Sequence, residues 1–252
     1  MAEGDTILRA ARRIEAALGG QELEVRARSG RARTAGLERV DGRRLERVEA
    51  RGKNLLLHFG GLVIHSHMGM SGSWHIYKHG ARWSKPAGAA WVTLSGAELE
   101  AVQFGGPTLR LLSALQLRSD PVLSRLGPDI LAADFDPSNA AARLCASPGR
   151  ELGDALLDQR LIAGIGNIFK SEACFAARAS PWRKVGEIGD GEIERVLEAG
   201  QRLMGDSVES GRPSRAVYHR AGQPCKACGT PIAARGQGDA NRRTYWCPRC
   251  QQ

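Results

Sequence analysis

Cys225-Lys226-Ala227-Cys228 and Cys247-Pro248-Arg249-Cys250 close the chain as two Cys-x-x-Cys pairs separated by eighteen residues. Each pair offers two thiols from one tight turn. The segment between them is long enough for a hairpin that gathers all four into a tetrahedral set. Zn²⁺ suits such a set best, because it takes four thiolates without redox chemistry. Two disulfides, or four separately buried cysteines, are the other arrangements these residues permit. The intervening stretch carries Arg235, Arg242 and Arg243, with Gly236 and Gly238 near its tip. A metal-pinned hairpin bearing arginines is a device for reaching an anionic partner.

Composition points the same way. The 252 residues carry a net charge of +9, with 42% hydrophobic residues, enough for one large core or two small ones. Arginine dominates the basic side, which favours planar, bidentate contacts to phosphate. The two remaining cysteines, Cys145 and Cys174, lie in apolar helical context and read as buried thiols. This usage fits a reducing cytosol. No charged-then-apolar leader and no run of ~18 apolar residues is visible. The expectation is a soluble cytoplasmic protein, associated with the nucleoid and with no membrane partner.

Working back from the hairpin, residues 129 to 219 read as helical, with helices over Asn139–Cys145, Glu151–Gln159, Ile168–Ala177 and Asp190–Val208. Turn and cap signals crowd Ser119-Asp120-Pro121 and Gly127-Pro128-Asp129, so residues 113–128 read as a linker. Before it, short apolar runs alternate with turns. Asn54–Phe59 and Leu62–His65 are joined by Gly60-Gly61, and Trp74–Tyr77, Trp91–Leu94, Leu99–Phe104 and Leu109–Leu112 continue the series. Ile7, Leu8, Ala11, Ile14 and Leu18 recur at helical spacing. The fold class is therefore α+β in two domains: an N-terminal β-sandwich flanked by helices (1–112), then a helical domain (129–219) ending in the four-cysteine hairpin (220–252).

Several motifs carry chemistry. Gly164-Ile165-Gly166-Asn167 joins two helices, and both glycines permit positive φ and close backbone approach. With a helix opening at Asn167, its amides and positive dipole end suit a phosphate. Lys53, in Arg51-Gly52-Lys53, sits at the mouth of a buried strand and by itself reads as a solvated turn lysine. His65 and His67 alternate on one strand without a third ligand and read as satisfied structural histidines. Met70, in His67-Met68-Gly69-Met70-Ser71-Gly72, is either core filling or an apolar wedge for a base stack.

Taken together, Glu3-Gly4-Asp5, Arg51-Gly52-Lys53, His67-Met68-Gly69-Met70-Ser71-Gly72, Leu156-Leu157-Asp158-Gln159, Gly164-Ile165-Gly166-Asn167 and the cysteine hairpin resemble the formamidopyrimidine-DNA glycosylase / endonuclease VIII family. The matches fall in family order over essentially the whole chain. The start Glu-Gly-Asp-Thr is most similar to the actinobacterial endonuclease VIII branch, and the Gly164–Asn167 turn looks like the family's helix–two-turn–helix. The resemblance implies a base-excision-repair glycosylase with AP lyase activity. In such enzymes the N-terminal amine, normally proline's, attacks the sugar carbon that bears the damaged base. It also implies that Glu3 serves as acid and base at the sugar, that Lys53 contacts a phosphate beside the lesion, and that Asn167 and Arg242 hold the flanking phosphates. The damaged nucleotide is flipped out, Met70 fills its place, and the linker lets the two domains close on bent DNA. One structural Zn²⁺, damaged double-stranded or bubble DNA as partner, no small-molecule cofactor and a monomeric state follow from the same resemblance.

Three departures matter. Residue 2 is Ala2 rather than proline. If Met1 is removed, Ala2 supplies a primary amine with a pKa of about 8 that still forms an imine. If Met1 stays, that nitrogen is displaced and the lyase step fails, leaving a binding protein for damaged or abasic DNA that keeps its clamp. Position 6 is Thr6, so the second acid of the formamidopyrimidine-specific form is absent. The opposite-base loop is replaced by Gln103-Phe104-Gly105-Gly106-Pro107-Thr108. That loop lacks the reading arginine, leaves Phe104 able to act as a wedge, and favours oxidised pyrimidines or abasic sites as substrates.

Overall fold

A computed structural model of the protein describes residues 2–189 and 191–252. Met1, on whose removal the N-terminal chemistry turns, and Asp190, where the last long helix was expected to begin, lie outside the described residues. The chain divides into two compact units, Met1–Arg125 and Leu126–Gln252.

The first unit opens with α1 (Gly4–Leu18), which buries Ile7, Ala11, Ile14 and Leu18 along one face, as their spacing dictates. There follow β1 (Glu22–Ala27), α2 (Gly30–Thr34), β2 (Arg43–Arg44), β3 (Arg47–Arg51), β4 (Asn54–Phe59), β5 (Leu62–His67), β6 (Ser73–Lys78), β7 (Ala90–Ser95), β8 (Leu99–Phe104), β9 (Thr108–Ser113) and α3 (Ala114–Ser119). They form two antiparallel sheets, ordered β2-β1-β7-β8-β6 and β3-β4-β5-β9. Both sheets contribute to one core. Leu23, Val25, Val92 and Leu94 come from the first, Leu55, Leu57, Phe59 and Ile64 from the second, and α1 adds Ile7, Ile14 and Leu18. This is the expected sandwich flanked by helices.

Every residue of β4 is buried. Leu55, Leu57 and Phe59 face the common core, so Asn54, Leu56 and His58 point the other way. On that second face His65 Nε2 lies 2.9 Å from Asn54 Oδ1, and Arg110 Nη2 lies 2.8 Å from His65 Nδ1. Arg110 also pairs with Asp120 at 2.8 Å, and Asp120 accepts the N–H groups of Val122 and Leu123. Burial, reinforced by the Arg110 charge, holds His65 down to about 4. The ring is therefore neutral at pH 7, accepting at Nδ1 from Arg110 and donating from Nε2 to Asn54. Residues just past β9 are thereby fastened to the first unit, and the capping box of Ser113 and Gln116 opens α3 there.

The second unit contains α4 (Pro137–Cys145), α5 (Leu152–Ala155), α6 (Asn167–Ala176), α7 (Glu192–Ser210) and the hairpin β10 (Ala233–Gln237) and β11 (Arg242–Trp246). Ile130, Leu144, Leu156, Ile165, Phe169 and Leu197 share a core with Cys225, Tyr245 and Cys247, so the hairpin is packed on the helices. Two expectations are corrected here. Cys145 is exposed while Cys174 is buried, because α4 turns Ala140, Ala141 and Leu144 inward and its final residue rotates past that face. The expected helix over Glu151–Gln159 shrinks to Leu152–Ala155. Asp158 ends it by accepting the Arg160 N–H and its guanidinium, which builds a side-chain turn in place of another helical turn. Among the described residues no helix is long and apolar enough to cross a membrane.

Candidate functional site

In the first unit the geometry begins at residue 2. Ala2 is buried at 8% exposure, and its nitrogen donates to Gly69 O at 3.1 Å. Glu3 follows as the residue capping α1, with its carboxylate-bearing side chain 1% exposed. The positive end of the helix dipole favours negative charge at that point. Asp5, in the first helical turn, is equally buried and accepts from Thr6 Oγ1 at 3.2 Å. Asp5 belongs to the quoted sequence motif but received no role there; only its burial beside Glu3 marks it.

Gly69 ties this corner to the sheet. Its own N–H donates to His67 Nδ1 at 3.1 Å. Its φ is +59°, and a Cβ there would lie 2.7 Å from Pro107, so only glycine lets the 68–72 turn meet the 105–107 loop. His67 is paired across the sheet with Asn54, the residue after Lys53. Burial, and then the charge of Lys53, holds the His67 pKa below its ordinary value. Ala2, Gly69, His67 and Lys53 thus form a connected series. Beside it lies an open cavity of about 880 Å³, lined in part by Arg31, Asn54, His65, His67, Pro107 and Arg110.

Of the two roles open to Met70, core filling is excluded. Its side chain is 69% exposed at the tip of the turn, while its neighbour Met68 enters the core. Phe104, expected as a wedge, is instead 2% exposed. It lies edge-on to Trp83 and His75, so the sheet consumes the ring that the loop was expected to present.

In the second unit the turn before α6 is held by one side chain. Gln159 donates to Leu157 O and Ile165 O and accepts from Gly164 N. Gly164 adopts a φ of +99° with Ile130 and Asp129 within contact of a would-be Cβ. Gly166 does not need positive φ, contrary to expectation: it caps α6 at φ −121°. Asn167 is 7% exposed, and its Nδ2 donates to Arg243 O at 2.8 Å. One amide hydrogen is therefore committed to the hairpin and one remains. Arg242 and Arg243 are both exposed at the start of β11. Below them the hairpin is locked inward, where Lys170 Nζ reaches Thr244 Oγ1 at 2.6 Å, Thr244 donates to Gln237, and Gln237 donates to Glu151.

The four hairpin cysteines gather as the spacing requires. Their sulfurs all lie within 4.8 Å of one another, with Cys225–Cys250 at 4.0 Å and Cys228–Cys247 at 3.4 Å. Tetrahedral zinc with bonds of about 2.3 Å places sulfurs about 3.8 Å apart. The set therefore fits one structural Zn²⁺ held by Cys225, Cys228, Cys247 and Cys250. Without a cation the sulfurs compete for protons: hydrogen bonding from Thr230 pulls Cys228 down to about 6, whereas the neighbouring Cys228 pushes Cys250 up to about 12. A dication replaces those shared protons.

Known families match both units of the chain. Residues 1–105 match the formamidopyrimidine-DNA glycosylase N-terminal domain, residues 126–218 its H2TH domain, and residues 222–252 the zinc finger found in FPG and IleRS. A probable endonuclease 8 2 of Streptomyces coelicolor is 41% identical, covering 100% of this chain and 94% of that one. The DNA-(apurinic or apyrimidinic site) lyase Nei2 of Mycolicibacterium smegmatis is 37% identical, covering 100% and 99%. Among solved structures, the complex of Lactococcus lactis Fpg with abasic-site DNA superposes with a TM-score of 0.84 at 23% identity, over 99% of both chains, and shows the common fold. The chain belongs to the formamidopyrimidine-DNA glycosylase / endonuclease VIII family. Within it, the chain falls with the actinobacterial endonuclease VIII branch.

Proposed function

We propose that the protein is a base-excision DNA glycosylase that removes oxidised bases, pyrimidines in preference, and then cleaves the abasic site through the amine of Ala2. The observation that carries this reading is the seat of residue 2, buried, anchored to Gly69 O, and followed directly by the buried carboxylate of Glu3. The relatives named endonuclease 8 and abasic-site lyase support it.

With Met1 removed, the uncharged Ala2 amine attacks C1′ of the flipped nucleotide. The C1′–N bond breaks and the base leaves with its electron pair, taking a proton. Opening of the C1′–O4′ bond gives the Schiff base, with Glu3 delivering the proton that O4′ requires. Loss of a C2′ proton then expels the 3′ phosphate and cuts the strand. Lys53 holds a phosphate beside the lesion, and Met70, already exposed, enters the stack. Asn167, with the Gly164–Gly166 turn and the α6 N-terminus, and Arg242, on the zinc hairpin, take further phosphates. Residues 1–112 carry the chemistry, 113–128 link, and 129–219 with 220–252 hold DNA. In this reading the protein acts as a monomer on damaged duplex or bubble DNA, in the cytoplasm at the nucleoid.

Single-turnover incubation with duplexes holding dihydrouracil or a preformed abasic site tests the proposal. Base release accompanied by strand scission is expected. Release without scission would leave a hydrolytic glycosylase, and tight binding with neither product would leave only a damage-binding protein.

A further inference from the structure

His219 is one of three non-glycine residues with positive φ among the described residues, at +58°. The other two occupy ordinary places for it: Arg178 directly follows the α6 C-cap Ala177, and Asn241 lies in the β10–β11 turn. His219 stands at the third position of a turn closed by Arg220 N donating to Val217 O at 3.0 Å. Glycine or asparagine meets that requirement without strain. A histidine there calls for a reason.

The ring supplies one. It stacks on Tyr218 at 4.4 Å between centroids and 17° between planes, and lies 5.5 Å from Tyr245. Both tyrosines are buried, whereas His219 is exposed. Neither imidazole nitrogen has a partner among the described residues. The segment beneath is rigid, because the buried Glu172 carboxylate accepts the N–H groups of Ala216, Val217 and Tyr218. The surroundings are cationic: Arg215 lies 5.6 Å over the Tyr218 ring. Exposed Arg243 projects from the same face of β11 as Tyr245, two residues away. A strained backbone, pinned from below, thus presents an unpartnered imidazole edge from an aromatic seat inside a basic patch.

We propose that His219 is a nucleic-acid contact of this protein, donating a ring N–H to a backbone phosphate on the Arg243 side of the zinc hairpin. The inference rests on the DNA-binding reading above. No assigned position of the clamp includes it, and an imidazole with one face stacked leaves its edge for an oxygen acceptor.

The test compares wild type with His219→Gly and His219→Asn, using a duplex that carries a tetrahydrofuran abasic analogue and the same duplex with single methylphosphonates near the lesion. Both replacements tolerate the turn, so thermal melting is expected to stay at the wild-type value or rise. Affinity is expected to fall about tenfold, as for one lost hydrogen bond to a charged acceptor, and that loss is expected to disappear on a duplex whose facing phosphate is replaced by a neutral methylphosphonate. Wild-type affinity in both variants would overturn the assignment. Weaker binding that persists in full on every duplex carrying one methylphosphonate near the lesion would overturn it too, since the ring would then serve by stacking on a base. Should wild type itself not bind the duplex, the DNA-binding reading falls first; wild-type binding with unaffected variants removes only His219.

Discussion

The two ends of the chain hold its two most specialised corners, and they differ in what specifies them. The C-terminal hairpin is fixed redundantly, by four thiols within 4.8 Å of one another, a buried Lys170–Thr244–Gln237 relay, and Asn167 bonded to Arg243 O. The N-terminal corner depends on one nitrogen, seated by one hydrogen bond to Gly69 O and backed by one buried carboxylate. The buried relay and the Asn167 bond hold the strands, whereas the metal itself needs all four thiols. In the proposed mechanism a single change at the N-terminus, such as Ala2 for proline, alters the chemistry of the attacking amine, a primary one in place of a secondary one.

Breaking the N-terminal corner gives the largest effect. Glu3→Gln keeps the shape of the side chain but removes the proposed acid–base group. Base release and scission are expected to slow by at least about 100-fold with DNA affinity preserved. Single-turnover rates beside equilibrium binding check this, and an unaffected rate would remove Glu3 from the chemistry. Breaking the hairpin does the reverse. Structural zinc contributes folding free energy on the order of 10 kcal/mol in isolated fingers. Cys228→Ser is therefore expected to lower the zinc content below one per chain and to weaken DNA binding by more than about tenfold, because Arg242 and Arg243 lose their support. Metal analysis and titration with duplex measure both.

A smaller effect separates the scaffolds from the sites. His65 has a folded pKa of about 4 against an ordinary 6.5. Between those values the unfolded chain takes up a proton that the folded one refuses. Its contribution is therefore intact above pH 6.5 and declines as pH falls toward 4, by up to about 3 kcal/mol. Glu49 acts lower. Burial opposes its charge, yet hydrogen bonds from His58, Arg47 and Arg51 hold it at about 2, so its contribution is lost only as pH falls below the ordinary 4.5. Hydrogen exchange at β4 and β5 is expected to accelerate from pH 6.5 downward after correction for intrinsic rates. His65→Asn should flatten that dependence above pH 4.5; an unchanged slope would show that the ring titrates normally.

Much of this was legible in the residues. Short apolar runs divided by Gly and Pro turns gave the strands, because strands buried on both faces read as continuous apolar segments, and Cys-x-x-Cys spacing gave the hairpin, because four sulfurs must reach one point. What was missed depends on packing between distant segments. Phe104 looked available, but Trp83 and His75 cover it. Glu151–Gln159 looked helical, but Asp158 found a better partner in Arg160. His219 had no sequence signal, since nothing local states that its backbone is left-handed or that Tyr218 and Tyr245 lie beneath it.

The nucleophile proposed for this protein is the Ala2 amine. Borohydride reduction during reaction with abasic-site DNA, followed by peptide mapping of the cross-linked protein, tests it most directly. The expected result is one covalent adduct, on an N-terminal peptide that begins at Ala2 and lacks Met1. Strand scission with the adduct on Lys53, or with no adduct at all, would contradict it.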